Sequence, residues 1–205
     1  MAWPVFVPSP NILTGNTGER TGSGFLLAAP LGTTFPTFTA AGGKFTNSWD
    51  PAWVNLGRTT EDGITWSFGQ DNTSYTSSQE FYPFLSKVTS KTVNCSFTLY
   101  EYNKYNMQVA LNGGNWSVTG SGTSEIATYT PALPGAEIYT QLAWIGPGDN
   151  EVILMYKCFS SAEVSMEMKR DDPRPLAMNM QAVQPDASIS ALPYRIFGAG
   201  QVYGS

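Results

Sequence analysis

Two stretches of this chain alternate apolar and polar side chains with a period of two, the pattern of strands whose sheet is buried on one face and wet on the other. In the first, Ile64, Trp66 and Phe68 alternate with Thr65, Ser67 and Gly69. In the second, Val93, Cys95, Phe97 and Leu99 share one side while Asn94, Ser96 and Thr98 take the other. A Leu56-Gly57 turn and an acidic Glu61-Asp62-Gly63 turn are expected before the first strand. The second strand runs straight into a segment of helical period. Over 101–112, Glu101, Lys104, Gln108 and Asn112 form a polar stripe, with Tyr102, Tyr105, Met107, Val109, Ala110 and Leu111 largely opposite. Asn103 and Asn106 break that pattern. Gly113-Gly114 supplies positive φ just past the last turn, where the helix is predicted to stop.

The remaining segments read as short strands parted by breakers. Phe25 to Ala29 and Phe35 to Ala41 are separated by Pro30 and Gly32, and they lead to an aromatic block from Trp49 to Trp53. The polar run 70–79 is predicted as a hairpin tip or long flexible loop joining the Ile64 strand to a segment at 80–85. Residues 116–123 have β-character and give way to loops as far as Gly135. Strands at 138–145 and 151–159 form a predicted hairpin around Gly146-Pro147-Gly148-Asp149-Asn150, which has the residues of a reversing turn. Segments 161–168, 176–183 and 194–197 complete the set. With about nine to eleven short strands and no internal repeat, the expected fold is mainly β. It is a β-sandwich or partly rolled barrel with one flanking α-helix at about 101–112. At 205 residues and 41% apolar content the chain can bury one sizeable core. Residues 25–197 are therefore expected as a single domain, between an N-terminal arm (1–24) and a C-terminal tail (198–205). The arm is rich in Pro, Gly, Asn and Thr and has no period, so it is expected to order by lying on a neighbouring subunit.

The composition argues against catalysis. There is no histidine, which removes the commonest general base and metal ligand. Glu61-Asp62 and Asp171-Asp172 sit at expected turns, where carboxylates stabilise local backbone. No glycine-rich phosphate cradle, CxxC pair or Cys/His cluster occurs, so neither cofactor nor metal is expected. Cys95 and Cys158 stand among apolar neighbours and are predicted to be buried thiols. The start of the chain lacks a basic n-region and is interrupted by Pro4 and Pro8, and no apolar run reaches membrane-spanning length. The expectation is a chain made and kept in a cytoplasm. Charged residues make up only 13%, against roughly 25% in typical soluble chains, which favours contact with other copies. A net charge of −5 opposes gripping nucleic acid, yet it suits a conduit whose wall repels phosphates, the more so when several copies surround one channel.

The order Trp53-Val54-Asn55-Leu56-Gly57-Arg58-Thr59-Thr60-Glu61-Asp62-Gly63, then a strand, then Glu101-x-Asn103-x-x-Asn106-x-x-x-Ala110-Leu111-Asn112-Gly113-Gly114, resembles the major tail tube proteins of long-tailed bacteriophages with flexible, non-contractile (siphovirus-type) tails. The resemblance covers residues 50–200. It implies a β-sandwich with one flanking helix, hexameric rings, and rings stacked head to tail into a tube that carries the genome. The implied role is structural, not enzymatic, in a virion tail assembled in the host cytoplasm. The implied partners are other copies of the chain and the tail terminator, tape measure and tail-tip proteins, with DNA passing through unbound.

Exposed edge strands carry unpaired N–H and C=O groups, so the sheet at 64–69 and 91–99 can join copies edge to edge. Its polar face, Thr65, Ser67, Asn94, Ser96 and Thr98, would then line the bore, with Asp71, Glu80 and Glu61 as negative wall charge. In the family a loop between two inner-sheet strands reaches the next ring, and 70–79 is the positional match. Ring-to-ring contact is assigned to Asp71, Asn72, Thr73, Ser74 and Tyr75 of that run, to the arm through Trp3 and Phe6, and to the C-terminal tail. The alternatives are a tail terminator or head decoration protein, or a secretion-type tube of related fold. From another class comes a carbohydrate-binding β-sandwich that uses the six tryptophans and ten tyrosines.

Overall fold

A computed structural model describes residues 24–41, 44–46, 48–79, 81–161, 164 and 175–198. The predicted arm up to residue 23, the tail past 198, most of the predicted 161–168 strand and Asp171-Asp172 lie outside the described residues. The elements are β1 (Phe25–Pro30), β2 (Thr39–Ala41), β3 (Lys44–Thr46), β4 (Val54–Asn55), β5 (Thr59–Tyr75), β6 (Leu85–Leu99), α1 (Lys104–Ala110), β7 (Asn115–Thr119), β8 (Ile126–Thr130), β9 (Thr140–Ile145), β10 (Glu151–Ser160), β11 (Leu176–Ala182) and β12 (Tyr194–Gly198). An eight-stranded sheet takes the order β4-β1-β9-β10-β11-β6-β5, with β12 also on β10. Its ladders are antiparallel, and its two ends do not meet, so the sheet rolls without closing into a barrel. The expected mainly β sandwich with one helix is what forms.

The roll begins in β10. Val152–Met155 pair with Ile145–Leu142 of β9, but the next pair is Cys158 with Thr140, so β10 carries one extra residue there. Such a bulge bends a strand and reverses the side that later residues face. Met155 and Cys158, which an uninterrupted strand would send to opposite faces, both enter one buried cluster. The neighbour changes at the same place, since β12 lies along 151–155 and β11 along 158–160. Apolar residues of β1, β9, β10, β11, β6 and α1 converge on that cluster, among them Leu26, Leu142, Leu176, Phe97 and Met107. The opposite face of β1, β9 and β10 (Leu27, Ala29, Ala143, Ile145, Val152 and Leu154) is covered by Phe35, Phe38, Phe45, Trp49 and Trp53. Only Thr39–Ala41 of the predicted 35–41 strand pairs, because Phe35 and Phe38 serve as this lid.

The helix is shorter than predicted. Asn103, extended at φ −133°, caps it by accepting from the Asn106 N–H at 2.8 Å, which starts the helix at Lys104 and leaves Tyr102 exposed. At the other end Asn112 already adopts φ 53°, followed by Gly113 at 121° and Gly114 at 89°, so the predicted stop holds. Asn112 also locks the helix to β10: its Nδ2 donates to the Ser160 carbonyl at 2.8 Å and its Oδ1 accepts from the Ser160 N–H at 2.6 Å. Asn106 is fully buried, and its Nδ2 donates to the Leu56 carbonyl at 2.8 Å and the Glu101 carbonyl at 2.7 Å.

Three further expectations are corrected. The acidic turn is a bulge inside β5: Thr59 pairs with Leu99 and Ile64 with Phe97, so residues 60–63 loop out of register with Gly63 at φ 74°. Residues 126–130 are not a loop; they form β8, paired with β7 from Asn115↔Thr130 to Thr119↔Ile126. β7 alternates at Trp116 and Val118, but the mostly exposed β8 carries a weaker pattern, and the hairpin is fastened by Trp116 Nε1 to the Lys104 carbonyl and Tyr129 Oη to the Gly113 carbonyl. The third concerns the run 70–79 and is described below.

Replacing Asn106 with Ala strands the buried Leu56 carbonyl and removes the donor to the part-buried Glu101 carbonyl. We expect a loss of about 2–3 kcal/mol and a melting temperature lower by roughly 4–12 °C, read by calorimetry on the unassembled subunit. An unchanged melting temperature would contradict this role for the amide.

Candidate assembly surface and channel wall

The register of β5, β6 and β11 gathers the predicted wall residues on one face. Thr65 pairs with Ser96, Ser67 with Asn94 and Asp71 with Ser90. Across the other edge of β6, Ser96 pairs with Asn179, Thr98 with Ala177 and Asn94 with Gln181. Six of the eight predicted wall residues thus share a face, and Ala177, Asn179 and Gln181 extend it. Those three could have been found from the alternation of Leu176, Met178 and Met180 with them. Ser96 Oγ donates to Asn179 Oδ1 at 3.3 Å, and the Asp71 carboxylate accepts from Ser90 Oγ at 2.5 Å. Glu61 is exposed but sits in the bulge, out of register with the rest, and Glu80 lies outside the described residues. Farther along the face, Lys157 lies 3.8 Å from Asp186 and 4.6 Å from the Tyr139 ring centroid. Small uncharged polar groups therefore make up most of the described face, and Asp71, followed by the Thr73–Lys87 pair, carries it out along the hairpin.

The run 70–79 is mostly strand. Asp71, Asn72, Thr73, Ser74 and Tyr75 pair in turn with Ser90, Val88, Lys87, Ser86 and Leu85, with Thr89 bulged out of β6. The connection is displaced to 76–84. Polar composition misleads here because both faces of the ribbon are wet, which erases any period. Every described residue of 67–76 and 81–92 is exposed. A two-stranded ribbon standing alone in water is marginal. At its tip Phe81, Tyr82 and Phe84 are 101%, 83% and 63% exposed, and the aromatic run around Pro83 is the only mark they leave in the sequence. β5 is also the end strand of the sheet, with β6 as its partner there, while the opposite end is the two-residue β4. A long open edge of this kind is a template for pairing with another chain. Trp3 and Phe6 lie outside the described residues.

No reactive centre emerges among the described residues. No group of three or more His, Cys, Asp or Glu is placed to hold a metal. No helix there is long and apolar enough to cross a membrane. Cys95 and Cys158 are free and buried. Burial pushes the Cys158 thiol up to about 12, against a smaller downward pull from its bond with Thr140. Burial, reinforced by Cys158, pushes Cys95 well above the ordinary thiol range. Such thiols are not nucleophiles at neutral pH.

A rolled antiparallel sheet with an uncovered end strand, a polar face and a protruding hairpin defines a subunit built for assembly. The chain belongs to the phage tail tube proteins: the family model of that description matches residues 16–192. No curated protein matches it.

Both thiols stay protonated in the fold but ionise in the unfolded chain from about pH 9. The unfolded state then holds fewer protons, so stability is complete below that pH and declines as pH rises from about 9 toward 12. We expect a slope of up to about 1.4 kcal/mol per pH unit for each thiol, diminished in Cys95→Ala, together with no alkylation of the native subunit by iodoacetamide at neutral pH. Rapid native labelling would refute this.

Proposed function

We propose that copies of this chain join through the open margin of β5 into hexameric rings, and that the rings stack head to tail into the tube of a siphovirus-type tail. The face bearing Thr65, Ser67, Asn94, Ser96, Thr98 and Asn179 lines the bore, and the β5–β6 hairpin reaches the adjoining ring. The observation that carries this is β5 itself: a 17-residue end strand, uncovered along its edge, with polar side chains toward one face. Genome DNA slides past a face made mostly of small hydroxyl and amide groups, where Lys157 lies beside Asp186 and Lys87 stands opposite Thr73 out on the hairpin, with Asp71 and Glu80 adding repulsion. Tail terminator, tape measure and tail-tip proteins meet the tube at its ends and inside, and assembly takes place in the host cytoplasm. Nothing in this role requires catalysis.

The carbohydrate-binding alternative loses its support to packing. Trp49, Trp53, Trp66, Trp116 and Trp144 belong to or pack against the two buried clusters, so their rings are not free to stack on sugars.

Electron microscopy of the purified chain is expected to show tubes, and deletion of 77–83 to leave rings or single subunits of unchanged melting temperature. Solitary subunits under every condition would refute the assembly. In phage, Asp71→Lys combined with Glu80→Lys is expected to slow genome delivery several-fold without loss of particles; unchanged delivery would remove those carboxylates from the wall.

A further inference from the structure

Two features of this chain fit each other but are separate on one subunit. The first is the hairpin tip, where Phe81, Tyr82 and Phe84 are the most exposed aromatic rings and make no ring contact among the described residues. The second is an open depression of about 480 Å³ lined by the 35–38 segment, β10, β12 and the 189–191 loop. Its walls include Phe35, Phe38, Tyr156 and Phe197, and Arg195 stands among them. The aromatic walls are held firm, with Phe35 edge-on to Tyr156 at 4.5 Å and Phe38 against Phe197 at 4.5 Å between centroids. Arg195 is exposed and forms no ion pair among the described residues, and its charge opposes the upward push of burial on the Tyr156 hydroxyl. A guanidinium at an aromatic wall attracts the electron-rich face of an incoming ring.

We propose that the aromatic tip of one subunit inserts into this depression on a second copy of the chain, with an aromatic ring against the Arg195 guanidinium. The inference rests on the tube assembly proposed above and names the receptor for its hairpin. A knob and a socket on different surfaces of the same chain make a head-to-tail contact, which propagates along a stack and does not end at a pair. The contact is confined to one hairpin tip and one depression, whereas a lone stable complex buries roughly 1,000 Å² or more. Isolated subunits therefore do not hold one another through it, whereas a ring presenting several knobs to several sockets gains by multivalency. Tube growth then depends on rings.

Disulfide trapping tests the contact, because the native thiols are buried. Subunits carrying Phe81→Cys are mixed with subunits carrying Ala191→Cys at the wall of the depression, assembled and mildly oxidised. A covalent dimer is expected, and none when Thr128→Cys on the exposed face of β8 replaces the socket variant. Tubes that form without the Phe81–Ala191 crosslink would overturn the knob and socket while leaving the tube intact. Failure of the unmodified chain to form tubes would overturn the assembly and the inference together. Since Phe81→Cys itself weakens the knob, Ala191→Trp, which fills the depression in an otherwise native chain, gives a second measure. Its tube yield is expected to fall about tenfold or more with an unchanged subunit melting temperature; wild-type yield would overturn the proposal.

Discussion

The extra residue in β10 between Met155 and Cys158 is the constraint from which the rest of the structure follows. Without it Cys158 would point away from the cluster that Met155 enters, and β11 would continue a flat sheet. With it, the sheet turns around one core, so Leu26 and Leu142 on one limb meet Phe97 and Leu176 on the other, with Met107 of α1 between. Each fully buried aliphatic side chain contributes roughly 1.5–3 kcal/mol, so placing these residues on a common side is what makes the roll stable. Failure to close into a barrel leaves β5 as an open end.

Apolar material is used unevenly as a result. β1, β9 and the first half of β10 bury both faces, one in each cluster. β6 buries one face, at Val93, Cys95, Phe97 and Leu99, and presents Asn94, Ser96 and Thr98 on the other. Beyond Phe68 and Val93 the β5–β6 ribbon buries nothing. Backbone pairing alone makes such a ribbon marginal in water. The assembly proposed above would supply a surface for it to lie against from a neighbouring subunit.

The asparagines that interrupt the helical pattern have a common explanation. Asn103 caps α1, Asn106 ties it to the carbonyls of Leu56 and Glu101, and Asn112 takes the left-handed turn and grips Ser160. The Glu-x-Asn-x-x-Asn block by which the chain resembles tail tube proteins is therefore a docking device that fixes a seven-residue helix over the core. A helix so short would not persist on propensity alone.

The sequence by itself determined the local facts: the alternating faces of 64–68 and 93–99, the helix stop at Gly113-Gly114, the 146–150 turn and the buried free thiols. These follow from side-chain chemistry and backbone preferences over a few residues, and so they are legible without a fold. Tertiary structure decided the rest. It moved the hairpin connection from 70–79 to 76–84, turned the acidic Glu61-Asp62-Gly63 turn into a bulge, made 126–130 a strand, and aligned β11 with the polar face of β5 and β6. Each of these depends on which backbone N–H meets which C=O across a long loop of chain. Pairing of that kind is set by the shared burial of distant residues and leaves no periodic trace where both faces of a strand are wet.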